Sequence, residues 1–457
     1  MMKRVFALIL AGALSVSLFA GCGGNKEPAA EGSTPAASGE ASEGGEGAAP
    51  AGEIVFWTQD TAPWKGWFDP AIEAFQQQNP DIKVKVEYFP QFADKLTQAY
   101  AAGQQPDVAQ TWQGITHWAK AGKLDPVPDS VYSKEDMQAK FYEGALKNKE
   151  FEGQYYCIPA EINVESPGLL VNMDLLEKMG KTLPDGWVEN NGPKSWDELL
   201  SFAKELTVKS GDTITQSGLA YAYAQWEAMF VSLIWQNGGD YRDQANSVVH
   251  FNTPEAKKAA EFMLKYANPA DPDVICDIGA SRYELFIQGT AAMVMGAPWY
   301  AGSLATDAPD MNYQYFNMPA MVEGSDPYCM ATGGWGYIVS AESKNKPAAW
   351  EFVKQMTTPE QIGSWALGVG SLAAHKEANA DLEYDPNVGS VEKALAVSKD
   401  ILQYGNEDGA YTLDSSQLIY TIVRQQLQQM VETGDIDTAL ATMEMEGNDM
   451  IETNLNR

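Results

Sequence analysis

Histidine and cysteine are scarce in this sequence. Its three histidines, His117, His250 and His375, are scattered and form no HExxH, the spacing that would hold a hydrolytic zinc on one helix face. Of four cysteines, Cys22 ends the N-terminal apolar run. Cys157, Cys276 and Cys329 show no CxxC spacing, so neither a zinc ribbon nor a dithiol redox motif is present. One disulfide and three free thiols both fit that odd count. No GxSxG and no P-loop occurs. GVGSLA (Gly368–Ala373) matches a loose GxGxxA pattern, but it follows a helical stretch instead of a strand and is read as chance. Neither a cofactor nor a metal is expected. Positive charge is scarce too: 31 Lys and Arg face 62 Asp and Glu, for a net charge of −31. Such a surface repels nucleic acid and anionic lipid. After the first 22 residues no apolar run approaches the ~20 residues that a membrane helix needs.

What is present begins with a leader. Lys3 and Arg4 precede the apolar VFALILAGALSVSLFA (Val5–Ala20), Gly21 and Cys22, the pattern of a secretory signal. FAGC (Phe19–Cys22) resembles a bacterial lipoprotein box, with Phe19 where that pattern prefers Leu. The resemblance implies that residues 1–21 are removed and Cys22 is lipidated. The stretch that follows, to Gly52, has no large apolar side chain and cannot offset its ordering entropy, so 22–52 is expected to be a disordered tether. Its reach is roughly 30 Å for a Gly/Ser-rich coil of that length. The protein is thus expected outside the cytoplasmic membrane, anchored by lipid.

The remaining chain is too long for one core, since single cores stop growing near ~250–300 residues, and two lobes are expected. EIVFW (Glu53–Trp57) reads as a strand, Phe68, Ile72 and Phe75 fall at helical spacing, and IKVKVEY (Ile82–Tyr88) alternates with period two. A helix over Phe92–Gly103 and a strand from PDVAQTW (Pro106–Trp112) follow. Strand–helix–strand–helix–strand is the signature of a parallel α/β lobe. SWDE (Ser195–Glu198), Thr253-Pro254 and TPEQ (Thr358–Gln361) mark later helix starts. PGLLVN (Pro167–Asn172), AAMVMG (Ala291–Gly296) and WGYIVS (Trp335–Ser340) read as strands.

In an open α/β sheet, ligands sit beyond the carboxyl ends of strands. At those ends stand Trp57, Gln59, Asp60 and Trp64, then Trp112 and Gln113, then Trp299 and Tyr300 in GAPWYAG. Gly333 and Gly334 precede Trp335 at the start of a strand, and Gly334 permits a close backbone approach. Aromatic faces beside amides and carboxylates suit a sugar, which has apolar C–H faces and a hydroxyl rim. Each residue also has a bland reading: Trp299 as a plug in the inter-lobe core, the others as packing. Trp350 and Trp365 sit in helical patterns and are expected in the core, Trp196 at a helix start, and Asp107 at a strand–turn junction.

EIVFWTQD, IKVKVEY, QQPDVAQTW, YCIPAEINVESPGLLVNMDLLEKMG, SWDELLSFAKEL, FIQGTAAMVMGAPWYAG and TGGWGYIVSAESKNKPAAWEFVKQM resemble, in that order, the extracellular solute-binding proteins of ABC importers. The similar group binds carbohydrate and includes maltose-binding protein. The resemblance covers nearly the whole chain from Glu53. It implies an α/β fold of the periplasmic binding protein type II kind: two α/β lobes, a multi-strand hinge and a ligand cleft between them. It further implies a discontinuous first lobe of 53–161 and 313–356 and a second of 162–312 and 357–457, with IPAEIN (Ile158–Asn163) as a hinge crossing. It places a stacking aromatic at Trp299 and another aromatic contact near Trp226. Glu161 and Asn163 either bond ligand hydroxyls or solvate the bend, and Tyr283 in SRYELF is a further candidate. The implied role is capture of a sugar or oligosaccharide and its delivery to permease subunits by a monomer that catalyses nothing. Polyamine, amino acid, peptide or metal-chelate binding on the same fold, a sensor that hands ligand to a receptor, and a secreted glycoside hydrolase are the rival readings. The last needs two carboxylates ~5–9.5 Å apart, which 62 acidic residues leave open.

Overall fold

In the computed structural model, the residues described are 50–164, 168–220, 226–267, 282–321, 324–379 and 382–456. The leader, Cys22, most of the tether and Cys276 lie outside them. The described residues belong to one compact unit, Ala49–Arg457.

The first lobe starts with β1 (Gly52–Gln59), one residue inside the stretch expected to be tether. Helix α1 (Ala62–Gln78) begins earlier than its apolar spacing indicates. Thr61 caps it by accepting a bond from the Trp64 amide, and Phe68, Ile72 and Phe75 face inward. Strand β2 (Ile82–Phe89), helix α2 (Phe92–Ala102) and strand β3 (Val108–Thr111) follow. β1 lies between β2 and β3 and is parallel to both. Asp107 ties the junction before β3, accepting from the Val55 amide at 2.9 Å and from Ser343 at 2.6 Å.

The chain then reaches the hinge. β4 (Ile158–Pro159) ends in the first sheet, and β5 (Ile162–Val164) lies beyond it. β6 (Gly168–Asn172) opens the second lobe. There follow α3 (Trp196–Leu206), α4 (Trp226–Gln236), β7 (Met293–Gly296), α5 (Trp299–Asp307) and β8 (Tyr313–Asn317). Strand order β7–β6–β8 makes an antiparallel sheet. Leu169 and Val171 pack on one face, with Met293 and Met295, while Leu170 and Val294 pack on the other. Both faces are covered, and β6 is accordingly apolar at consecutive positions.

β9 (Cys329–Gly333) pairs with β5, and β10 (Gly336–Val339) returns to the first sheet between β3 and β4. Leu372–Ala374 runs alongside: the Ile162 amide bonds to the Leu372 carbonyl at 2.9 Å, and the Ala374 amide to the Ala160 carbonyl at 3.0 Å. Three chain passages thus lie side by side at the hinge. Cys157 and Cys329 are buried and free.

Two expected lobe limits differ from the packing. Tyr313–Asn317 belongs to the second sheet, because β8 pairs with β6, so the return to the first lobe begins with β9. Helix α6 (Pro359–Val369) was expected in the second lobe. Its Ile362, Trp365, Ala366 and Val369 lie in the first core, where Trp365 packs edge-on against Trp64 at 5.7 Å. Trp350 is buried in the same core, and Trp196 is buried at the start of α3. The capping box there is one-sided. The Ser195 hydroxyl accepts from the Glu198 amide at 3.2 Å, but the Glu198 carboxylate binds Trp187 and the Lys194 amide.

Candidate functional site

A cleft of about 610 Å³ opens at the hinge. Gln59, Thr61, Trp64 and Trp112 line it from the first lobe. Thr61 sets Trp64 on the first turn of α1, and the Trp64 indole N–H donates to Gln110 Oε1 at 3.2 Å, which fixes the ring. The hinge supplies Asn148, Glu161, Asn163, Thr332, Gly333, Gly334, Trp335 and Ser371. The far wall holds Glu227, Trp299, Ser303, Asp307, Asp408, Ser416, Tyr420 and Arg424.

The hinge portion is tightly bonded. The Trp335 amide donates to Glu161 Oε1 at 3.0 Å, and Lys149 Nζ donates to the Gly334 carbonyl at 3.0 Å. A Cβ on Gly334 would stand 1.9 Å from Glu161 Oε1, so any side chain here would push this carboxylate out of its place. Aromatic rings face each other around the space. Trp64 and Trp335 are 5.5 Å apart, and Trp112 meets Tyr420 edge-on at 5.6 Å. Trp112 packs with the first core and Tyr420 with the second. Tyr420 sits on a π-helical turn, Leu418–Val423, a distortion common at functional sites.

Of the fourteen candidates from sequence, Gln59, Trp64, Trp112, Glu161, Asn163, Trp299, Gly334 and Trp335 line the cleft. The other six lie outside its lining. Trp57 is buried against Phe89 at 4.7 Å, with Lys95 of α2 over its ring, so the packing of α2 covers it short of the strand's end. Asp60 pairs with Lys65 at 2.7 Å. The Gln113 amide donates to Thr97 Oγ1 at 3.1 Å. Trp226 is in the second core, and its neighbour Glu227 faces the cleft instead. Trp299 and Tyr300 begin helix α5 rather than occupying a turn. Their rings stack at 4.2 Å, but Tyr300 is buried. It fills the space over Gly296, where a Cβ would meet its ring at 2.6 Å. Tyr283 stands behind the wall, its hydroxyl donating to Asp307 Oδ2 at 3.0 Å. Asn148, Ser371, Asp408, Ser416, Tyr420 and Arg424 were not singled out from sequence. The short apolar spacing of the C-terminal helices carries no signal that their polar face meets a cleft.

Comparison with known proteins decides the family. The family model described as bacterial extracellular solute-binding protein matches residues 59–362, about two thirds of the chain. The protein belongs to that family. Members act outside the cell, so this one is exported, and their role is to bind. A maltotriose-binding protein from Pyrococcus abyssi is 27% identical over 353 residues, covering 75% of this chain and 72% of that one. An arabinooligosaccharide-binding protein from Bacillus subtilis is 23% identical, covering 73% of each. Among solved structures, a maltose/maltodextrin-binding domain from Bdellovibrio bacteriovorus bound to maltotriose superposes with a TM-score of 0.70 at 22% identity. It covers 89% of this chain and 100% of that one, which establishes the shared two-lobe fold.

The electrostatics of this solute-binding protein's cleft follow from burial. Burial pushes the Glu161 carboxyl above the ordinary range, opposed by Ser371, the Trp335 amide and the Lys149 charge. Ser371 does not reach Glu161 Oε2 in hydrogen-bonding geometry, and that atom has no partner. Burial, aided by the Glu407 charge, raises Asp408 to about 6. An acid whose folded pKa is raised binds its proton more tightly in the native state, so it favours folding at low pH and loses that contribution as pH rises through its folded pKa. The empty protein should therefore lose part of its stability between the unfolded Asp value near ~4 and about 6. Asp408→Asn should flatten that segment of the melting-temperature profile and raise the midpoint at neutral pH by a few degrees. An unchanged profile would contradict the assignment.

Proposed function

We propose that the protein is the substrate-binding component of an ABC importer and that it captures a saccharide in the hinge cleft. One observation carries the reading: rings from both lobes, Trp64 and Trp112 on one side and Trp299 and Tyr420 on the other, surround a space whose polar lining combines carboxylates and amides with Ser and Thr hydroxyls and Arg424. Apolar sugar faces lie on such rings, and hydroxyls answer the acceptors. An unanswered one costs ~1–3 kcal/mol in a closed site. The names of the relatives from Pyrococcus and Bacillus and the maltotriose bound to the Bdellovibrio domain support the same ligand class.

Ligand contacts made by both lobes favour the closed form, so closure is a population shift driven by differential affinity. A monomer leaves each lobe free to dock on a permease subunit. The lipid on Cys22 and the tether that follows hold the folded part near that permease. Cys22→Ser should release the protein into the medium, and retention at the membrane would exclude this anchor. The protein binds its ligand without turning it over.

A thermal-shift screen of saccharides, polyamines and amino acids tests the ligand class. Ligand at 100 times its Kd adds ~2.7 kcal/mol, a shift of several degrees. Shifts confined to saccharides support the reading. Shifts confined to amino acids or polyamines would keep the fold and replace the substrate, and a saccharide recovered cleaved would make the protein a hydrolase.

A further inference from the structure

The cleft is unbalanced in both charge and hydrogen bonding. Four carboxylates line it: Glu161, Glu227, Asp307 and Asp408. Among the described residues one cation lines it, Arg424, which is ion-paired with Glu227. A second cation, Lys149, is buried behind the hinge with its Nζ on the Gly334 carbonyl. Even with both counted, acid is in excess.

The unpartnered atoms point the same way. Glu161 is 2% exposed and Glu227 is 0% exposed, and Oε2 of each has no hydrogen-bond partner. Asn148 Oδ1, on the hinge part of the lining, is likewise buried and unpartnered. All three are acceptors. A buried charged acceptor is costly unless it is paired, so the occupant of this cleft must bring donors. A hydroxyl brings one O–H and no charge, and an N-acetyl group one N–H and no charge. An ammonium brings three N–H donors and a positive charge that offsets the remaining excess of acid. A uronate would set carboxylate against carboxylate. Indole faces at Trp64 and Trp299 stack on a ring and attract a cation held over them.

We propose that the cleft takes an amino-bearing saccharide as its cation, with the amine answering the inner carboxylates Glu161 and Glu227 and the ring faces lying on the indoles. This rests on the saccharide reading above and narrows it. A linear polyamine satisfies the acceptors but presents no flat face to the rings.

The test is a set of matched titrations at neutral pH and low salt, where charge is least screened. Glucose with glucosamine, galactose with galactosamine, and the β-1,4-linked glucose trimer with the glucosamine trimer are compared, each alongside its N-acetylated form. The galacturonic acid trimer and spermidine complete the set. The amine member should bind at least tenfold tighter than its neutral and N-acetylated twins, about one order of magnitude in Kd, and added salt should narrow the gap. Glu161→Gln should reduce that preference, and Asp307→Asn, at an exposed position where folding is not at stake, should reduce it independently. A neutral, N-acetylated or uronate member that binds as tightly as the amine overturns this inference and leaves the saccharide reading standing. Response to spermidine alone, or to no saccharide, removes both.

Discussion

Trp299→Ala is expected to weaken saccharide binding ten- to a hundredfold, about 1.4–2.8 kcal/mol, while leaving the melting temperature of the empty protein within a few degrees. Trp299 begins α5, lines the cleft and is only partly buried. Among the described residues its ring stacks on Tyr300, at 4.2 Å. Removing an aromatic pair costs ~0.5–1.5 kcal/mol beyond its area, a small fraction of the stability of a unit this size. In the complex the same ring covers a sugar face that would otherwise remain in water. Tyr300 is the contrast. It is 3% exposed among Leu170, Val294 and Tyr315, and truncating it should cost stability first. If Trp299→Ala lowers the empty protein's melting temperature as Tyr300→Ala does, Trp299 is core and the stacking role fails. Calorimetry on both variants, with and without ligand, separates the two.

Gly334→Val should cost both stability and affinity. Its Cβ would fall 1.9 Å from Glu161 Oε1, the atom that accepts the Trp335 amide. The carboxylate would have to leave the amide, or the strand would have to move off the neighbouring passages at Ala160 and Leu372–Ala374. Overpacking of this kind costs ~1–3 kcal/mol, and the displaced Glu161 and Trp335 are both cleft residues. A loss of affinity beyond tenfold is expected, roughly the 1.4 kcal/mol of one misplaced contact. Gly66→Ala is the control. It lies inside α1 with nothing within 4 Å of its Cβ position, and it should be neutral or stabilising by about 0.5–1 kcal/mol. Near-normal binding by Gly334→Val would show that the close approach to Glu161 is not needed.

Local pattern made the early elements and several helix starts readable. The alternation in Ile82–Tyr88, the spacing of Phe68, Ile72 and Phe75, and the helix-starting Ser195 and Thr358 all appear as written in the chain. The position of rings at strand ends likewise led to Trp64, Trp112, Trp299 and Trp335. What stayed hidden depends on which surfaces meet. Trp57 and Gln59 share one face of β1, yet α2 covers the first and only the second, at the strand's end, reaches the cleft, and the alternation alone does not say how far that cover extends. Trp226 and Glu227 are adjacent and both buried, and the aromatic one draws attention over the carboxylate that lines the site. Tyr420 and Arg424 arrive from a helix far along the chain through a π turn that no apolar period marks. The α6 helix joins the first core because Trp365 finds Trp64, a tertiary choice that its own amphipathic pattern leaves undetermined.

The most direct test of the central claim is a tryptophan-fluorescence titration of the wild-type protein and of Trp299→Ala with the saccharide that shifts the melting temperature most. The cleft account predicts a saturable spectral change in the wild type and, in the variant, a curve displaced at least tenfold to higher concentration. Saturable binding by calorimetry with the same Kd in both proteins and no spectral change would place the ligand elsewhere and contradict it.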